Sequence, residues 1–287
     1  MYVNVAIVAQ PDTSYIEVLP NDRTVQLHST LKDVSLIARI NDNEHTLFRN
    51  YNWSTGFYFK WRLAELYVAI PITALDNRVI GSPKVFGTGF GLNFYRNAFH
   101  FNYNFKYIQG FENFAQVWED KLQTLTNQNY FIFNRLNTHY IHNPSFSLRA
   151  ALRFSDRQVR SAGSLIIAAP ISYHLGTVRD EGFEQFGGFS RGAVGLMAGY
   201  GYTYVLQKWS TTFIMKIGAD ARYSKISSTP DWELIPTVNI IGSTVYHWKS
   251  NFLGLIYNDY PEFFGRSGVS FKLVNWKLRI YAGKRFN

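Results

Sequence analysis

The sequence predicts an all-β protein, an antiparallel up-and-down transmembrane β-barrel of about 12 strands, with 14 as the alternative. Three observations predict it. Apolar residues recur at every second position in segment after segment, the period of a strand and not of a helix. The segments are longer than ordinary globular strands and long enough to cross a bilayer when tilted. The chain also pairs 17% aromatic with only 17% charged residues at a mean hydropathy of -0.15, as alternation between an apolar and a wet face produces.

The 287 residues divide into a tail at 1–14 and a barrel at 15–287. The run Val3 to Ala9 reads as the remnant of a secretory signal or as an ordinary apolar tail. No apolar run is long enough for a transmembrane helix. Cysteine is absent, which excludes disulfides and thiolate metal sites.

The first strands are expected at 24–40, 45–61 and 63–73. In the next pair, Phe90, Leu92 and Phe94 oppose glycines on one segment, and Phe99, Phe101, Tyr103 and Phe105 oppose His100, Asn102, Asn104 and Lys106 on the other. A polar break at Arg96-Asn97 joins them as a hairpin. Phe111 to Leu125 reads as a short helix in a loop. Strands follow at 126–141, 145–155 and 162–175. Then Val194, Leu196, Ala198 and Tyr200 alternate with glycines, and Phe213, Met215 and Ile217 alternate with Thr212, Lys216 and Gly218. The last strands are expected at 233–248, 251–264 and 267–286.

These segments number 13, an odd count that a single-chain bacterial barrel does not allow. Either 176–190 hides a strand, or one segment does not cross. Short breaks are expected near 62, 96, 142, 207 and 249, and long loops at 74–83, 112–125, 176–190 and 225–232. Short turns on one side and long loops on the other is the outer-membrane arrangement.

The apolar faces are large and aromatic, more than a small lumen could hold, so they are expected to face lipid. The opposite faces would then place Arg39, Lys60, Lys106, Arg149, Arg153, Lys216, Asp220, Arg222, Lys277, Arg279 and Arg285 in the lumen. Trp61, Trp209, Trp248 and Trp276 each adjoin a basic residue and, with Phe286, are expected as anchors at the membrane interface. Lys284 interrupts the apolar side of the last strand.

Several stretches resemble a family of outer-membrane barrels of unknown function from Bacteroidetes-type bacteria. They are "FYFKWRLAELYVAIP" (Phe57–Pro71), "FNYNFKYIQGF" (Phe101–Phe111), "NPSFSLRAALRF" (Asn143–Phe154), "RQVRSAGS" (Arg157–Ser164), "MAGYGYTYVL" (Met197–Leu206) and "LRIYAGKRF" (Leu278–Phe286). "RQVRSAGS" is the most specific, since alternation alone does not produce it. The resemblance implies a signal peptide, insertion into the outer membrane by barrel-assembly machinery and a Gram-negative host. It supplies no activity and no functional residues.

Catalytic and metal motifs are decoys. "GFSRG", around Ser190, matches a nucleophile motif that works only at a strand-to-helix elbow. His139 and His142 would point to opposite sides of a strand and have no neighbouring carboxylate. Ser29, His28, His100 and Asp220 are isolated candidates for a barrel enzyme. No metal or cofactor is expected. The net charge of +9 is spread along the chain without a Lys/Arg block, which argues against nucleic acid.

The expected function is therefore non-enzymatic. It is a narrow or occluded porin-like barrel that passes small, anion-leaning solutes, or a membrane subunit of an envelope complex. Its partners would be outer-membrane lipid and other envelope proteins. A cationic lumen attracts anions unless loop acids such as Glu112, Glu119 and Asp120 fold in. The alternatives are a barrel enzyme acting on lipid or peptide, and a soluble barrel binding an apolar ligand.

Overall fold

A computed structural model describes residues 12–17, 23–40, 43–61, 64–72, 86–96, 98–109, 130–153, 156–177, 188–226, 229–266 and 269–286. The segments Val3–Ala9 and Phe111–Leu125, and the acids Glu112, Glu119 and Asp120, lie outside them.

Nearly every described residue is extended. The strands in order are β1 (Ile16–Glu17), β2 (Arg23–Ile40), β3 (Asn43–Trp61), β4 (Ala64–Ile72), β5 (Phe86–Arg96), β6 (Phe99–Gln109) and β7 (Tyr130–Ile141). After the helix α1 (Leu148–Arg153) come β8 (Arg157–Gln158), β9 (Ala162–Thr177), β10 (Gly188–Leu206) and β11 (Trp209–Ile226). The chain closes with β12 (Thr229–Trp248), β13 (Asn251–Asp259), β14 (Glu262–Arg266) and β15 (Val269–Phe286).

All neighbours pair antiparallel, in chain order, and the ring closes where β15 pairs with β2 on one side and with β13 on the other. The main sheet has 13 strands, but β13 and β14 follow one another along the same edge of β15 and make one interrupted stave. That leaves 12 staves, the even number an up-and-down barrel requires.

The segment at 145–155 is the one that does not cross. Leu148, Ala150 and Leu152 alternate like a strand, but Leu148, Ala151 and Leu152 also share a helix face. Capping settles it. Ser147 Oγ accepts the amide of Ala150 at 3.0 Å, and Ser147 O accepts that of Ala151 at 3.0 Å. The expected loop at 225–232 is also absent, since β11 runs to Ile226 and β12 starts at Thr229.

With the count corrected, the connections after β3, β5, β10 and β12 all lie at one end of the barrel, beside the start of β2 and the end of β15. The turns Gln207-Lys208 and Lys249-Ser250 each begin with a residue of φ 55°, the geometry that lets a two-residue hairpin follow the strand twist. One connection at this end is different. Residues 142–161 join β7 to β9 as a long in-folded turn that carries α1 and β8.

Every one of the 12 staves presents exposed large apolar side chains on its outer face, from Leu27 and Phe57 to Leu196, Ile217, Leu255 and Ile280. The aromatic faces point outward. Inside, at the short-turn end, Ile166, Ile214, Ile241, Val245, Phe252 and Ile256 pack against Phe146 and Leu148 of the in-folded turn.

Candidate functional site

The lumen has two storeys, a plug at the short-turn end and a cavity above it. The plug is residues 142–153 and 156–161 together with Asp12–Glu17. Gln158, 1% exposed, pins it: its side-chain amide donates to Ser145 O at 2.6 Å and Arg160 O at 3.1 Å, and its oxygen accepts from Ser147 N at 3.1 Å. The plug is fastened to the wall by Asn143 Nδ2, which donates to Gly163 O at 2.7 Å, and by Ser164 Oγ, which accepts from Asn143 N at 2.9 Å. Ser161 Oγ accepts from Val205 N at 2.9 Å, and Ser243 Oγ donates to Ala151 O at 2.7 Å. The N-terminal segment docks underneath. Asp12 N donates to Pro144 O at 3.1 Å, Ser145 Oγ donates to Asp12 Oδ2 at 3.2 Å, and β1 pairs with β8.

Asp156 joins plug and wall electrostatically. Asp156, 5% exposed, lies 3.5 Å from Lys60 Nζ of β3 and 3.6 Å from Arg149 Nη1 of α1. The Arg149 guanidinium also lies over the Tyr95 ring of β5 at 4.6 Å. A buried charge needs such partners to be tolerated.

Above the plug, with Leu152 in its floor, is a cavity of about 190 Å³. Lys32, Lys106, Arg135, Lys216, Lys277 and Arg279 line it, contributed by five staves around the ring. No acidic residue is among its described lining residues. The rest of the polar lining includes five amides, Asn102, Asn104, Asn137, Asn239 and Asn258, beside hydroxyl and imidazole groups. Among the described residues, three of these cations contact imidazole, hydroxyl, amide or ring groups. Lys216 Nζ lies 3.0 Å from His139 Nε2, and Arg279 Nε donates to Thr30 Oγ1 at 2.6 Å. Arg135 Nε donates to Asn137 Oδ1 at 2.9 Å, while its guanidinium lies over the Tyr260 ring at 3.8 Å.

The positions singled out in the sequence separate into groups. Lys106, Lys216, Lys277 and Arg279 line the cavity. Lys60 and Arg149 meet at Asp156, with Arg149 on a helix and not on a strand. Arg222 is paired with Asp220 at 3.1 Å, and Asp220 also accepts from Tyr260 at 3.4 Å. Arg285 is buried beside His247 Nδ1 at 3.1 Å, near the short-turn end. The side chains of Arg39 and Arg153 lie outside the described residues.

Trp61, Trp209, Trp248 and Phe286 stand exposed at strand ends by the short turns, with Trp209 against Tyr246 at 4.9 Å. Trp276 differs, lying within β15 across from Asp259 and Asp33, away from that rim. Lys284 is exposed on the outer face, its ammonium 5.4 Å from the Phe286 ring.

The catalytic candidates are not brought together. Ser29 bonds Trp53 on the outer side, while His28 is buried on the inner side next to the Tyr281 ring. Ser190 lies inside β10, in extended chain and not at an elbow. His100 stacks between Tyr95 at 4.2 Å and His139 at 5.2 Å. No group of metal-ligating side chains occurs among the described residues.

Sequence reading missed Lys32, Arg135, Asp156 and Gln158. For Lys32 the signal was available, because Thr24, Gln26, His28, Thr30 and Lys32 form one alternating polar row. For the plug it was the inward aliphatics Ile214, Ile241 and Val245 clustered at one end, which need an apolar partner inside the ring.

A family model described as a domain of unknown function (DUF4421) matches residues 10–286. No curated protein matches the chain. Among solved structures, one described as a bacterial polysaccharide outer membrane secretin is 10% identical, with 94% of this chain and 100% of that chain covered and a TM-score of 0.42. The COG4313 outer membrane channel from Pseudomonas putida F1 is 13% identical, with 94% and 97% covered and a TM-score of 0.41. The toluene transporter TodX from P. putida is 8% identical, with 99% and 94% covered and a TM-score of 0.33. The barrel itself rests on its own strand pairing and not on these likenesses.

Proposed function

The chain belongs to the family of the domain of unknown function DUF4421, and from that premise we propose that it is a bacterial outer-membrane barrel whose narrow lumen selects small anions. The observation that carries this is the cavity, lined by six cationic side chains and by no acidic one among the described residues. Such a low-dielectric enclosure of one sign concentrates the opposite charge.

The membrane setting is supported by the outer face. A soluble monomer rarely exposes an apolar patch beyond a few hundred Å². Here all 12 staves contribute to one encircling belt. Tryptophans at the short-turn rim suit the headgroup layer, and the outward aromatics speak against a soluble barrel with an apolar lumen. Short turns at the plugged end support a periplasmic position for it. Barrel-assembly machinery is the partner such a chain requires for insertion.

The resting barrel is occluded from the periplasmic side by residues 142–161, and solute passage requires that turn to shift. No enzymatic role is proposed, since Ser29 and His28 face opposite sides of the wall. One observation favours a second reading, membrane subunit of an envelope complex. The plug and Asp12–Glu17 present a folded surface at the short-turn end, where a periplasmic partner would dock.

Flux into proteoliposomes tests the first reading. Small anions should enter faster than cations of matched size. Equal rates would contradict it, and co-purification of a periplasmic protein with a silent barrel would favour the second.

A further inference from the structure

The amides of the lumen are arranged as deliberately as its cations. On one wall, Asn102 Nδ2 donates to Asn93 Oδ1 at 2.6 Å, Asn104 bonds Asn102, and Asn137 Nδ2 donates to Asn102 Oδ1 at 3.4 Å. This ladder crosses β5, β6 and β7. On the facing wall, β12 and β13 lie half the ring away. There Asn239 Nδ2 donates to Asn258 Oδ1 at 2.8 Å and to Asp259 O at 2.9 Å. The cations stand between and among these amides around the ring.

A passage for bare inorganic anions needs cations alone. Amides on two facing walls add groups that both donate and accept, and a sugar hydroxyl likewise does both. The volume sets the size. A cavity of about 190 Å³ has room for one six-membered ring.

We propose that this cavity is a binding site for a monosaccharide-sized polyhydroxylated anion, a sugar acid or sugar phosphate, with its charge beside Lys216 and Arg135, which converge at His139, and its hydroxyls on the asparagine walls. The site deepens the anion-selective reading and rests on it.

The test is calorimetric titration of the refolded full-length barrel in detergent micelles with glucuronate, glucose 6-phosphate, glucose and acetate. One of the two sugar anions should bind saturably and at least about tenfold more tightly than glucose, which lacks the charge, and than acetate, which lacks the hydroxyls. Lys216→Met should weaken that sugar anion about tenfold or more. Asn239→Leu should weaken it several-fold and leave acetate unchanged. Glucose or acetate binding as tightly as both sugar anions would overturn the proposal, as would the absence of saturable binding by the wild-type barrel. If binding fails while flux still favours anions, only the sugar-anion site is lost. If flux shows no charge preference, the reading beneath it is lost as well.

Discussion

Lys60 on the barrel wall and Asp156 on the in-folded turn meet at 3.5 Å, with side chains only 4% and 7% exposed. Arg149 approaches the same carboxylate from the plug's own helix. Asp156 thus lies between wall and plug. Removing one member of a buried ion pair typically costs about 3–5 kcal/mol, because the remaining charge loses its counterpart. Asp156→Asn should therefore lower the barrel's thermal stability and raise its conductance in a planar bilayer. A variant with unchanged conductance and melting would show that the carboxylate does not hold the plug.

The plug's apolar grip predicts a second effect. The Phe146 ring would lie 3.0 Å from a Cβ added at Gly201 on the inner face of β10, so glycine there makes its seat. Phe146→Ala should cost about 3–5 kcal/mol by emptying a buried aromatic site. Gly201→Val should unseat the same ring without emptying the core. Both should expose residues 142–161 to added protease while the wall stays resistant, as read by limited proteolysis in micelles.

Much of this was legible in the sequence, and what was not has physical causes. Alternation marks faces directly, so the outward Phe57, Leu196 and Ile217 and the inward Lys216 and Arg279 could be read one strand at a time. The odd strand count also pointed to a segment that does not cross. It could not say which one, because Leu148, Ala150 and Leu152 satisfy two periods at once and only the Ser147 cap decides. "RQVRSAGS" stood out because alternation does not require it, and "NPSFSLRAALRF" stood beside it only in the resemblance. Their Asn143, Gln158, Ser161 and Ser164 turn out to hold the plug together and fasten it to the wall. The cavity is a property of the closed ring. Asn102 and Asn239 are far apart in sequence and face each other only once β15 has paired with both β13 and β2.

The outer belt makes the lipid contact separable from solvent exposure. Leu196 on β10 is 64% exposed. In lipid, Leu196→Arg should cost about 2–4 kcal/mol if it lies near the bilayer midplane. On the surface of a soluble barrel the same change would fall within about 0.5 kcal/mol. Urea unfolding from lipid vesicles distinguishes the two, and a near-zero effect there would place this face outside the hydrocarbon.

The docked N-terminal segment carries a pH dependence. Asp12 is held below the usual carboxylate range, first by the Ser14 hydroxyl, then by the Ser14 amide, with smaller contributions from Ser145 and Arg160. A carboxylate with a depressed folded-state pKa favours docking above its unfolded value, about 3.9, and loses that contribution as pH falls through the folded one. Hydrogen exchange at Tyr15 and Ile16 should therefore stay constant from neutral pH down to about 4, after correction for intrinsic rates, and quicken below it. Asp12→Asn should flatten that acid response.

The central claim is that a membrane-spanning ring encloses a lumen of positive sign. The reversal potential of single channels formed by Asp156→Asn in a planar bilayer under a KCl gradient measures that sign, with the plug loosened so that current flows. Chloride selectivity that falls when Lys216→Met and Arg279→Leu are added is the predicted result. Cation selectivity, or a reversal potential indifferent to those two residues, would contradict it.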